Sequence, residues 1–266
     1  MHTIKGYKDE WRIQEYVLIA FFISWLSWGI LILLTNLKAI TFNHPLGMIL
    51  FGVGGFGPTI AAIMCLEGRL SMKKIQNFIF EHKKKTIWCL LLFAVMLIMT
   101  VWLASTGTNA DMPWYSLPII FMVCVFFGGG NEELGWRGTM QPLLEKVMQS
   151  RVKNRFWSYI LTTLIVGVVW AIWHLPLWFV VGSNQQTMDL GRFVFEVIVM
   201  SFWLAFVYGR TRSVFYCMLL HGLANTLMAF FILQTSWVYY LGYAVITAVA
   251  IFLSVKKPQG KIYENS

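Results

Sequence analysis

Eight stretches of apolar residues, each close to twenty long, recur along this 266-residue chain with short polar segments between them. A helix needs about 17–25 such residues to cross a hydrocarbon core about 30 Å thick. The pattern predicts an all-α, polytopic membrane protein with about eight transmembrane helices, near 15–34, 46–65, 86–104, 114–136, 157–181, 190–209, 214–232 and 237–255. Composition agrees where it bears on the point. Charged residues make up 12% of the chain, about half the share in soluble domains, and the 13 tryptophans suit a water–lipid boundary.

Lysine and arginine test the span count. Counting tails and loops alternately from the N-terminus, every second segment is basic, and together these segments hold 19 of the 21 Lys and Arg. They include Arg69, Lys73, Lys74, Lys83, Lys84 and Lys85, and later Arg137, Lys146, Arg151, Lys153 and Arg155. The positive-inside rule assigns them to the cytoplasm, so both termini are expected there. The net charge of +9 is therefore an orientation signal, and no nucleic-acid partner is expected. The opening MHTIKGYKDEWRIQ is too polar for a cleavable signal peptide, which leaves the first span as a retained anchor. Cys65, Cys89, Cys124 and Cys217 lie in apolar blocks without CxxC pairing and read as reduced core residues. No linker or repeat interrupts residues 1–266, which read as a single integral-membrane domain with its core motifs in 118–232. Segments 70–85 and 139–150 mix apolar and basic residues at helical spacing. They fit either helices lying on the cytoplasmic surface near membrane lipid or plain extensions of the spans.

Polar residues inside these blocks are the functional signal, because ionisable groups in a bilayer are costly and mark sites. GGGNEELGWRG closes the fourth span. On a helix Glu133 and Arg137 stand at i,i+4 and face each other. Glu132 points about 100° away and is left outside that pair, and a partly desolvated carboxylate without a counter-charge can act as a general base. VVWAIWHLPLW puts His174 among tryptophans, with Pro176 expected to kink the helix. LLHGLANTL puts His221 and Asn225 on one helical face, offering donors to a single point; helix–helix hydrogen bonding is the plainer use of such a pair. A rise of about 1.5 Å per residue puts all three clusters in the inner-to-middle membrane, within about 10 Å of one another in depth.

Glu132-Glu133-x-x-x-Arg137, then Trp170-x-x-x-His174, then His221-x-x-x-Asn225 resemble the motifs of the CAAX protease and bacteriocin-processing family, the Rce1-type or Abi intramembrane endopeptidases. The match covers about a third of the chain. The family usually carries Phe four residues before the first histidine; here Trp170 stands in its place, read as a mild change in an aromatic wall. RVKNRF, between the first two motifs, is a basic insert of this chain's own. The resemblance implies hydrolysis of a peptide bond in a peptide or membrane-associated protein substrate by glutamate-activated water. In it Glu132 would be the base, His174 would hold and polarise the water, His221 and Asn225 would form an oxyanion hole, and Glu133 and Arg137 would orient the site. No cofactor is expected. If zinc were bound, Glu132, His174 and His221 would be the ligands, although zinc usually takes three or four His, Cys or carboxylate ligands and Asn225 is a poor one. Two other classes stay open: a non-catalytic immunity or scaffold protein that binds a bacteriocin-like peptide, and a proton-coupled transporter, which the lack of matching broken-helix halves disfavours. Short Lys-rich loops fit a bacterial plasma membrane, where prenylated CAAX substrates are not expected.

Overall fold

The computed structural model describes residues 3–66, 71–81 and 86–256. In chain order its helices are α1 (Thr3–Asn36), α2 (Pro45–Gly55), α3 (Gly57–Met64), α4 (Met72–Phe80), α5 (Ile87–Ala104), α6 (Leu117–Phe126), α7 (Glu133–Gly135), α8 (Gln141–Arg151), α9 (Arg155–His174), α10 (Leu190–Thr211), α11 (Val214–Phe230) and α12 (Trp237–Lys256). Two short strands, β1 (Ser105–Thr108) and β2 (Phe231–Leu233), form an antiparallel ribbon. The residues gather into two compact units. One combines Met1–Ile75 with Asn131–Ser201, and the other Gln76–Gly130 with Phe202–Ser266.

In the first unit α1 packs on α2, α3 and α8. The second apolar block, expected as one span, is bent by 45° between α2 and α3. Pro58 explains the bend: it has no N–H to give Gly54, and its ring crowds that carbonyl. Ser24 Oγ donates to Gly54 O at 2.6 Å, Ser27 Oγ to Leu50 O at 2.7 Å, and Trp28 Nε1 to Phe51 O at 3.1 Å. A broken helix survives in lipid when neighbours take up backbone groups in this way. Gly54 and Gly57 make the approach possible, since a Cβ on either would fall inside Trp28 or Ser24.

In the second unit α6 lies on α11, and α5 on α11 and α12. Gly222 meets the backbone of Val125, and Gly242 meets Thr100, at distances no Cβ would allow; such small-residue contacts are a common way for membrane helices to close on each other. The ribbon joins the end of α5 to the end of α11, and around it Trp102, Trp114, Tyr115 and Trp237 are all exposed.

Outward-facing Leu18, Phe22, Leu91, Ile119 and Phe252 give the chain a lipid-facing exterior. Among the described residues six helices are long and apolar enough to cross a membrane, or seven where the bent α2–α3 pair is taken as one span. The seventh expected block, 214–232, is the 17-residue apolar helix α11. The protein is thus all-α and polytopic. Four details sharpen the expected segments, the first two favouring the plain-extension reading of 139–150. The 114–136 block continues as helical turns to Arg151. Segment 139–150 is no surface helix, because Gln141, Leu143, Leu144, Glu145 and Val147 of α8 are buried. Near Pro176 the α-helix is interrupted: α9 stops at His174 and a 3-10 turn carries on to Phe179. Of segment 70–85, Met72–Phe80 is helical with no residue buried, while Arg69 and Lys83, Lys84 and Lys85 lie outside the described residues. The four cysteines form no disulfide; Cys89 and Cys217 are buried, Cys65 and Cys124 half-buried.

Candidate active site

The backbone from Gly130 to Met140 tightens and then widens. A 3-10 turn covers Gly130–Glu132, α7 follows, and a π turn covers Trp136–Met140. Pro142 accounts for the widening, as it cannot donate to Gly138 and its ring crowds that carbonyl. The N–H of Gln141 accordingly bonds to Trp136 O, five residues back. Such π turns inside helices are frequent at functional sites.

This segment is tied to the broken second span. Thr59 Oγ1 donates to Asn131 O at 2.7 Å, and Asn131 Nδ2 to Gly55 O at 3.2 Å. Gly135 sits where a Cβ would strike Tyr16 and Pro58. Glu132 is thereby held in the interior, with 7% of its surface exposed. Its Oε2 accepts from Trp170 Nε1 at 2.7 Å and from Trp136 Nε1 at 3.3 Å. The expectation that Glu132 stands without compensation therefore fails: two indole N–H groups offset its charge. Glu133 and Arg137 pair as the spacing predicts, at 3.1 and 3.2 Å to the two carboxylate oxygens, and both are fully buried. The guanidinium of Arg137 also lies 4.7 Å over the Trp170 ring. Trp170 is thus more than a wall. It takes a cation on its face and donates from its edge to a carboxylate.

His174 Nδ1 lies 2.9 Å from Trp170 O. A carbonyl only accepts, so Nδ1 carries the proton, and in the neutral ring Nε2 is the acceptor. Trp173 and Phe193 hold the imidazole edge-on.

The second unit brings His221 and Asn225 together on a glycine. Gly129 has φ +112°, and a Cβ there would come within 2.4 Å of Asn225 Nδ2 and 2.7 Å of His221 Nε2. Asn225 Nδ2 donates to Gly128 O at 2.6 Å. Both side chains thus stand against the Gly128–Gly129 backbone. In the chain, only Gly130 and Asn131 stand between Gly129 and Glu132.

Sequence reasoning missed Trp136, Asn131 and Thr59, and misjudged Trp170. The signal for Trp136 was present. The i,i+4 rule that couples Glu133 to Arg137 equally couples Glu132 to Trp136. Among the described residues no three His, Cys, Asp or Glu side chains gather as a metal-ligand set.

Fold and site define a class: a multi-pass helical membrane protein with a buried, indole-held glutamate beside a buried ion pair. Within that class the chain is similar to the Rce1-like family: residues 113–227 match the model described as type II CAAX prenyl endopeptidase Rce1-like. That stretch contains every motif residue from Glu132 to Asn225. Over 151 residues the chain is 29% identical to the CAAX prenyl protease 2 of Methanococcus maripaludis, covering 53% of this chain and 51% of that protein. The chain spans about half the length of the curated relative it matches.

Proposed function

We propose that this protein is an intramembrane endopeptidase that hydrolyses a peptide bond with water activated by Glu132. The observation that carries the reading is the state of that carboxylate. It is buried within the Rce1-like segment, where the indole N–H groups of Trp170 and Trp136 donate to it, while Arg137 pairs with Glu133. Glu132 removes a proton from water, the hydroxide attacks the substrate carbonyl, and the proton passes to the leaving amine. His174, with Nδ1 committed to Trp170 O, offers Nε2 to the water. His221 and Asn225 donate to the oxyanion. Gly128 O takes one of the two N–H bonds of the Asn225 amide, and the other serves the substrate oxygen. Glu133 and Arg137 keep the segment rigid. Zinc held by Glu132, His174 and His221 is the competing chemistry, and the steps above do not use it.

The substrate is a peptide or membrane-associated protein. The name of the archaeal relative points to prenylated CAAX peptides as the first probe. Protein in proteoliposomes should cleave a prenylated CAAX peptide or, failing that, trim membrane peptides found by comparing termini in cells that make the wild-type or Glu132→Gln protein. Because a general base contributes about 10²–10⁴-fold, Glu132→Gln should lower cleavage by about three orders of magnitude at unchanged thermal stability. Unchanged activity in that variant would sink the assignment. Peptide binding without cleavage by either protein would favour an immunity or scaffold role.

The basic loops support a cytoplasmic location for both ends, in a bacterial plasma membrane. Terminal tags should be accessible from the cytoplasm and a reporter within 105–113 from outside; a cytoplasmic reporter at 105–113 would overturn this topology.

A further inference from the structure

The geometry points to Trp170 and Trp136 as positioning residues that hold the Glu132 carboxylate in place through one of its oxygens. The inference rests on Glu132 being the base. A carboxylate oxygen has two acceptor directions in its plane, and Oε2 receives two indole N–H bonds, from Trp170 at 2.7 Å and Trp136 at 3.3 Å. The two together, from helices far apart in sequence, fix both its position and its plane.

The donors are themselves held. Trp136 and Trp170 are 0% and 1% exposed. Trp136 stacks edge-on against Tyr16 and Trp173, and the ring of Trp170 lies under the Arg137 guanidinium. A cation on the face of an indole draws electron density from the ring and makes its N–H a stronger donor, and in a low-dielectric interior linked bonds strengthen one another. The Glu133–Arg137 pair thus reaches Glu132 through Trp170 while Arg137 stays bonded to Glu133. Phenylalanine at 170 would keep the aromatic face for Arg137 and lose the N–H.

The test compares Trp170→Phe, Trp136→Phe and Glu132→Gln in detergent or proteoliposomes. Misplacing a catalytic group by about 1 Å can cost about 10²-fold. Trp170→Phe should therefore lower kcat about 30- to 100-fold with KM and melting temperature nearly unchanged, and Trp136→Phe, which loses the longer bond, about 3- to 10-fold. A purely structural role would lower stability and leave the kcat of the folded fraction intact. Independently of activity, the indole N–H resonances of ¹⁵N-tryptophan-labelled protein, assigned by the two Phe variants, should include two that move upfield in Glu132→Gln, since a neutral amide oxygen is a weaker acceptor than a carboxylate. The number of indole resonances that move is read from Glu132→Gln alone, so this second measurement stands even where a Phe variant fails to fold. Trp170→Phe with full kcat, or indole resonances indifferent to Glu132→Gln, overturns the lock. Full activity in Glu132→Gln instead overturns the assignment of the base, and the resonance shifts still report whether the lock exists.

Discussion

The two polar regions of this protein meet the same difficulty, hydrogen-bonding groups among apolar helices, by opposite means. In the first unit Glu132, Glu133 and Arg137 are surrounded by side chains that answer charge with charge or with strong donors. In the second unit His221 and Asn225 face bare backbone, with Gly128 O as acceptor and the missing side chain of Gly129 as space. The difference follows from what is buried. An unpaired ion in a protein interior costs several kcal/mol (about 3–5 when one partner of a buried pair is removed). A neutral polar group costs about 1–3. Charge requires partners of high capacity, whereas neutral donors require mainly room and one carbonyl.

The comparison breaks most readily at Arg137. Arg137→Ala leaves Glu133 without its cation in a fully buried position and should cost about 3–5 kcal/mol, read as a large fall in melting temperature and poor yield in detergent. A stable, active Arg137→Ala protein would mean that the pair is reached by water. Gly129→Ala probes the other region. A non-glycine residue held at such a backbone angle costs about 1–3 kcal/mol, and the added methyl collides with His221 and Asn225. Activity should fall further than stability, by comparison of turnover with melting temperature; an unaffected turnover would separate His221 and Asn225 from the chemistry. The smallest effect is expected from metal removal. Exhaustive treatment with a strong zinc chelator should leave cleavage unchanged, with well under one equivalent of zinc by elemental analysis. Stoichiometric zinc, with activity lost on removal and restored on return, would recast Glu132, His174 and His221 as ligands and end the contrast between an ion held by donors and neutral groups held by space.

The i,i+4 spacing of Glu133 and Arg137 was legible because it depends only on local helical geometry, and the apolar blocks were legible because the bilayer sets their length. The break at Pro58 was also written in the sequence, yet its tolerance depends on Ser24, Ser27 and Trp28 of another helix, and no local rule supplies those partners. Pro142 likewise announces a disturbed helix, but a π turn is one of several ways to absorb it. The role of Trp170 was hidden for a different reason. Read against a phenylalanine, an indole looks like a larger ring, and only the position of Glu132 thirty-eight residues earlier in the chain reveals that its N–H matters. Contacts that join distant stretches through a single donor atom leave no periodicity to detect.

The ribbon end of the second unit sets a limit on the lipids that suit this protein. α5 has 18 residues, about 27 Å of helix, and α11 is one residue shorter. Trp102, Trp114, Tyr115 and Trp237, gathered at one end, favour the headgroup level and keep these helices from sliding to share out a length difference. A bilayer with a thicker hydrocarbon core than about 27 Å must then thin locally, at a fraction of a kcal/mol per ångström. Acyl-chain length thereby becomes a variable of folding and turnover, and membranes on the thin side of the natural range are the ones this helix pair is cut to fit.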